Sequence, residues 1–198
     1  EEAAEMVRRQ FPPEDHRVLV VAGEGWNPGV VGIVASKLVE QFYRPAVVLS
    51  IDREKGIAKG SARSIHGFDL FASLSECRDL LLHFGGHPMA AGMTLAIDDV
   101  EELRRRLNAI AARTLSDDDF TPPTFIDAAC SVAELTLSAA RSFERLAPFG
   151  VSNPRPLLLI EEAAVETMRR VGANGAHMKA VFSQSGATID VIGFGLGP

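Results

Sequence analysis

Cysteine is scarce in this 198-residue sequence: Cys77 and Cys130 stand alone, far apart, each inside an apolar pattern. That excludes a disulfide framework and a paired-cysteine zinc site, and both read as small buried hydrophobes in a reducing compartment. No apolar run approaches the roughly 20 residues a helix needs to cross a bilayer. No signal-peptide pattern precedes the first helical stretch, which opens on acidic Glu1 and Glu2. A basic excess is missing too: 20 Lys and Arg against 26 Asp and Glu leave a net charge of -6. Such a chain does not sheathe nucleic acid non-specifically, although a local basic groove is compatible with it. The glycine-rich stretch 23–29 has the spacing of neither a dinucleotide fingerprint nor a P-loop, so no nucleotide fold follows from it. What is present, 46% hydrophobic and 23% charged residues, is an ordinary globular composition.

Residues 1–11 read as the end of a helix with no N-cap, either cut from something longer or a short natural helix. The β-branched runs 17–22 and 45–51 predict two buried strands. Between them, Val31, Val34, Leu38 and Phe42 stripe a helix over 30–42, and its start behind a glycine loop is a plausible anion-binding corner. Trp26 in that loop is either a lid over the helix start or a stacking platform for a base. A third strand is expected over 57–64. Alternation puts Lys59, Ser61 and Arg63 on one face and Ala58, Gly60 and Ala62 on the other. Two cations and a hydroxyl in line suit a phosphate oxyanion; the competing reading is an edge strand guarded by basic residues.

Asp69 is the expected N-cap by residue type, and Leu70, Leu74, Cys77, Leu81 and Phe84 carry helical spacing up to Phe84. Gly85 then sits where a helix stops. His87 follows between Gly86 and Pro88, ahead of small Ala90, Ala91 and Gly92. An imidazole on a stiff loop beside bare amides suits holding an anion or moving a proton; a capping histidine in a glycine stop is the plain alternative. A strand over 93–97 and a helix with Val100, Leu103, Leu107 and Ile110 come next, with Arg104, Arg105 and Arg106 read as a solvated face. Composition shifts at 116–119, ahead of Pro122 and Pro123. Beyond lie a short strand at 124–127, a helix over 132–146, a rigid connector at 147–154, and strands at 157–160, 163–171, 178–183 and 188–194. Turns at 172–175 and 185–186 join the last three. Arg169, Arg170 and Lys179 either line a strand-binding face or are solvated hairpin charges. A small barrel is expected, and it needs roughly twice the residues present after Pro156, so a further C-terminal part is expected too.

Five motifs in order carry a family resemblance: residues 25–36, 59–64, 85–92, Pro148-Phe149-Gly150 with Asn153-Pro154, and 192–195. Together they resemble the RecJ family of bacterial single-strand-specific DNA exonucleases, within the DHH phosphoesterase superfamily. The implied fold is α/β: a mixed β-sheet flanked by helices (the DHH-associated domain, 1–115), a linker and helix (116–156), and an incomplete OB-like β-barrel (157–198). By match of motif, His87 resembles the histidine beside the scissile phosphate. Ser61 and Arg63 resemble phosphate contacts, with Lys59, Gly85, Gly86, Trp26 and Asn27 around them. Asn27 stands where many members carry histidine, so no catalytic role is given to it.

The family's Asp-His-His signature is absent; Asp15-His16-Arg17 is not that motif, and His66, His83 and His177 lack ligand spacing with carboxylates. The resemblance therefore implies a fragment that binds phosphates of single-stranded DNA. The Mn2+ or Mg2+ of the parent 5′-to-3′ exonuclease would be held by an N-terminal domain, with no metal site here. It also implies a bacterial cytoplasmic setting, a role in recombination and repair, and single-strand-binding protein or a repair helicase as partners of the full-length enzyme. Two alternatives stay open: a phosphodiesterase acting on short oligonucleotides or cyclic dinucleotides, and a non-catalytic nucleic-acid-binding module.

Overall fold

The two β-branched runs lie side by side in the computed structural model, which describes residues 1–150 and 152–197. They are β1 (Leu19–Glu24) and β2 (Ala46–Asp52), and they pair in parallel. Parallel neighbours need a crossover, and α2 (Val31–Phe42) supplies it, after a short α1 (Glu2–Gln10). From β2 the chain turns back into β3 (Ile57–Arg63), passes through α3 (Leu70–Glu76), and adds β4 (Leu81–His87) and β5 (Ala90–Ala96). The helix α4 (Val100–Thr114) closes the unit. The sheet order is β1-β2-β3-β5-β4, mixed in direction. The chain divides into two compact units at Pro122 and Pro123.

The two faces of this sheet are covered unequally. One packs Val18, Val20, Val47, Leu49, Ala58, Ala62, Ala91, Met93 and Leu95 against α3 and α4, through Leu70, Leu74, Leu103 and Leu107. The other packs Leu19, Val21, Ala46 and Val48 against Ala3 and Val7 of α1 and Val31, Ala35 and Leu38 of α2. That second cluster holds no buried residue of β3, β4 or β5.

Four expectations are corrected here. The helix expected to run to Phe84 ends at Glu76, with Asp69 capping its start by accepting from Ala72 N at 2.9 Å. Residues 81–87 form β4, so Gly85 is not a helix stop. Gly85 and Gly86 are poor helix formers, and the chain gains a full ladder by folding through Pro88 and Met89 onto β5, from His87↔Ala90 onward. The strand β3 is not an edge: it lies between β2 and β5, which removes the gatekeeper reading of Lys59 and Arg63. Nor is Arg104 solvated. It is 9% exposed, its Nε donates to Val20 O at 3.0 Å, and its guanidinium lies 4.0 Å from the Phe11 ring centre. Such a bond by a charged donor is worth about 1.5–3 kcal/mol.

In the second unit, β6 (Ala128–Ala129) pairs in parallel with β7 (Leu158–Leu159), and α5 (Leu137–Glu144) lies between them in sequence. No strand forms at 124–127. The helix expected over 132–146 is broken, because a capping box of Ser131 and Glu134 closes a single turn and Thr136 starts α5 by accepting from Ala139 N at 3.1 Å. An antiparallel sheet follows, of β8 (Ala164–Val171), β9 (His177–Gln184) and β10 (Ala187–Gly193), in the order β10-β9-β8. Ser185 and Gly186 both take positive φ at 51° and 85°, as a tight hairpin turn requires. Val151, in the expected connector, and Pro198 lie outside the described residues.

The β4–β5 hairpin yields a stability test. A Cβ on Gly86 would lie 2.3 Å from Ala90 O and 2.6 Å from Ala91 Cα, whereas one on Gly85 would meet nothing within 4 Å. Gly86→Ala should therefore lose about 1–3 kcal/mol of unfolding free energy. Gly85→Ala should stay near wild type, and urea denaturation of the pair reads the difference.

Candidate functional site

Three rows of side chains cross β3, β5 and β4 on the face where α2 packs on β2 and β3. Directly paired residues share a face. Arg63, Ala90 and His87 make the first row, Ser61, Gly92 and Gly85 the second, and Lys59, Thr94 and His83 the third. Arg63 and His87 are thus two strands apart on the same face, about 10 Å between backbones. The second row is nearly bare, since neither glycine carries a side chain. A cavity of about 470 Å³ lies over it, reaching Lys59, Ser61, His83 and Thr94, with Pro28 of the loop before α2 on its wall. Its lining contains no acidic residue.

His87 is exposed at the last position of β4, but the hairpin tip that carries it is pinned. Leu70 N donates to Pro88 O at 3.0 Å and Ser64 N to Met89 O at 3.0 Å. Ser64 is itself held, its hydroxyl donating to Phe68 O at 2.6 Å. The imidazole is therefore presented on rigid backbone.

Arg63 and Ser61 lie against the first turn of α2. A Cβ on Gly32 would come within 3.2 Å of Arg63 Nη2 and 3.5 Å of Ser61 Oγ. The first amides of a helix have no intrahelical partner and, with the helix dipole, favour an anion. An oxyanion at this corner has a guanidinium, a hydroxyl and the start of a helix in reach. Arg63 Nη1 donates to Ala62 O at 2.8 Å, which fixes the side chain over the strand.

Charge pairing sets these groups apart. On the neighbouring turn, Lys55 is bound to Asp52 at 2.6 Å and Arg53 to Glu24. Lys59 and Arg63 have no carboxylate within salt-bridge distance among the described residues. Two uncompensated cations therefore face the open side of a net-acidic chain.

The other residues singled out by sequence fall as follows. Asn27 Oδ1 accepts from Gly29 N at 2.8 Å, closing a local turn. Trp26 is half-buried: its ring stacks on Gly23, packs against the cluster under α2, and its carbonyl accepts from Ser50 Oγ at 2.6 Å. In the second unit, Arg169 and Lys179 are directly paired and share a face, whereas Arg170 pairs with Met178 on the opposite face. The three do not line one surface, and Lys179 is 3.2 Å from Asp190. Among the described residues, no group of three or more His, Cys, Asp or Glu is placed to hold a metal ion.

His83 is the residue that sequence reasoning passed over. The signal was present: His83, Gly85 and His87 alternate at strand spacing, but the helical spacing of Leu81 and Phe84 masked it.

Comparison with known proteins defines the class first. Residues 15–113 match the DHHA1 domain and residues 126–198 the RecJ OB domain. The chain belongs to the DHHA1 family, with a RecJ-type OB region behind it. It is 56% identical over 197 residues to the single-stranded-DNA-specific exonuclease RecJ of Bacillus subtilis, covering 100% of this chain and 25% of that protein. To RecJ of Thermus thermophilus it is 33% identical over 184 residues, 87% of this chain and 25% of the relative. The crystal structure of Thermus thermophilus RecJ in complex with Mn2+ superposes with a TM-score of 0.77 at 28% identity, covering 100% of this chain and 28% of that one. The chain spans about a quarter of the length of these relatives.

The bare row gives a second test. A Cβ on Gly92 would approach only Gly60 O, at 3.8 Å, and one on Gly85 nothing. Gly85→Val and Gly92→Val should fill the trough and leave the fold intact. The expected result is an unchanged thermal melt with severalfold weaker binding of a polyphosphate anion, read by calorimetry.

Proposed function

We propose that this chain is the substrate-gripping part of a single-stranded-DNA-specific exonuclease that hydrolyses phosphodiesters from 5′ to 3′ in recombination and repair. The observation that carries the proposal is the open half-sheet, where Lys59, Ser61, Arg63 and His87 share one face with no carboxylate among them. The similarity to RecJ proteins along the whole chain supports it. In this reading the first 115 residues bind the substrate phosphate, 116–156 link, and 157–198 contribute to the grip on a longer strand.

Arg63 and Ser61 hold a phosphate against the start of α2, the guanidinium through two parallel donors. His87, on its pinned hairpin, holds or moves a proton at a phosphate oxygen. Gly85 and Gly86 let the strand approach the backbone. The relatives' structures were solved with Mn2+ or Mg2+. Among the described residues no group of three or more His, Cys, Asp or Glu fits such an ion. In the proposed enzyme the metal belongs to residues outside this chain. The match to a RecJ OB domain favours long strands over dinucleotides as substrate. No helix is long and apolar enough to cross a membrane among the described residues. The bacterial cytoplasm is the proposed setting, with single-strand-binding protein or a repair helicase reached through the longer enzyme.

The 198-residue chain should bind a 5′-phosphorylated thymidine oligonucleotide weakly and, with Mn2+ added, should not cleave it; robust turnover overturns the proposal. Arg63→Ala should weaken that binding, and Arg63→Lys should recover only part of it, because an ammonium lacks the planar double donor. In the longer enzyme, His87→Ala should lower kcat more than it raises KM. A raised KM with kcat unchanged would assign the imidazole to binding alone.

A further inference from the structure

The third row of the open face is a second collection of unpartnered donors. Thr94 stands between Lys59 and His83, directly paired with each across the sheet. All three line the cavity over the glycine row, with no acidic residue beside them. None of the three side chains makes a hydrogen bond or ion pair among the described residues. A hydroxyl, an ammonium and an imidazole N–H all donate to an oxyanion. Their neighbours on the same strand pair, by contrast, are compensated: Lys55 is tied to Asp52 at 2.6 Å.

We infer that Lys59, Thr94 and His83 form a second anion subsite, on the far side of the glycine trough from Arg63 and His87, and that it takes another phosphate of the same single strand. This rests on the phosphate-binding reading of Arg63 and Ser61. Successive rows lie two residues apart along β3, so the first and third are about 13 Å apart. Two nucleotide steps of an extended strand cover that span. The bare Gly85 and Gly92 row between them leaves room for the connecting sugar-phosphate. His83 sits on the exposed edge strand β4, where a strand can reach it, and the half-buried Thr94 fixes the position of the subsite on β5. The ligand class follows from the chemistry: an anion repeated along an extended chain, at least three phosphates long, rather than a mononucleotide.

The test compares 5′-phosphorylated thymidine mononucleotide with the 5′-phosphorylated trinucleotide, titrated into the 198-residue chain by two-dimensional NMR at low salt. His83→Ala should weaken the trinucleotide about fivefold and leave the mononucleotide unchanged, and Lys59→Ala should lower the slope of log affinity against log salt for the trinucleotide by about 0.7. His83→Lys should keep wild-type trinucleotide binding. Thr94→Val, close in shape, should repeat the selective loss. Arg63→Ala should weaken both ligands. If Arg63→Ala behaves so while His83→Ala leaves both ligands unchanged or weakens both alike, the second subsite is wrong and the phosphate corner stands. If the wild-type chain binds neither ligand, the phosphate corner and the subsite fall together.

Discussion

Unequal covering of one sheet is the constraint from which the rest of the first unit follows. A five-stranded sheet has two faces to bury, and α3 and α4 cover one of them across its width. The two helices on the other face lie toward one side of it, α1 on β1 and α2 on β2 and β3. What remains is the hairpin β4–β5, beside the inner strand β3 that α2 partly covers. A hydrophobic half-face here would be an adhesive patch. The sequence instead places cations, hydroxyls, imidazoles and glycines there, which tolerate water and welcome an anion. The site is therefore the polar answer to a packing deficit.

Rigidity and charge act together on that half-face. The backbone beneath it is ladder-bonded on both sides of β3, and the hairpin tip carrying His87 is tied to α3 and to the end of β3. Donors held on such backbone lose little freedom when they meet a ligand. The overall charge of -6 does not oppose this, because the carboxylates at the ends of β1 and β2 are matched locally, Glu24 by Arg53 and Asp52 by Lys55. Glu102 shows the same economy on the far face: hydrogen bonds from Arg105 and Arg106 pull its carboxyl down to about 2. The uncompensated cations are left where the sheet is open.

The second unit is organised differently. Among its described residues, Val132 and Ala180 are the buried hydrophobic ones. Its three-stranded sheet exposes Val165 and Met168 on β8 and Ile192 on β10. Its order comes from backbone ladders, tight turns and a few side-chain ties, such as Gln184 accepting from Val132 N at 2.8 Å, more than from a packed core. The cations it carries are divided between faces, so the electrostatic contrast of the first unit has no counterpart here.

Much was legible in the residues alone. Local rules read β1, α2, β2 and β3 correctly, because β-branched runs and a 3.6-residue stripe leave few alternatives. The alternation that puts Lys59, Ser61 and Arg63 on one face is a property of any strand. The ordered motifs also carried the family. Three things depended on long-range contacts. Residues 81–84 have a spacing that fits a helix turn as well as a strand, and only pairing with β5 made them β4. The interior position of β3 came from β5 inserting beside it, which no local pattern encodes. His83 came to share a face and a cavity with Lys59 and Thr94 only when register set it across from Thr94. Sequence determined which chemical groups are present and which way each strand turns them; tertiary structure decided which rows meet and which face stays bare, because strand order and helix coverage are settled by contacts between residues far apart in the chain.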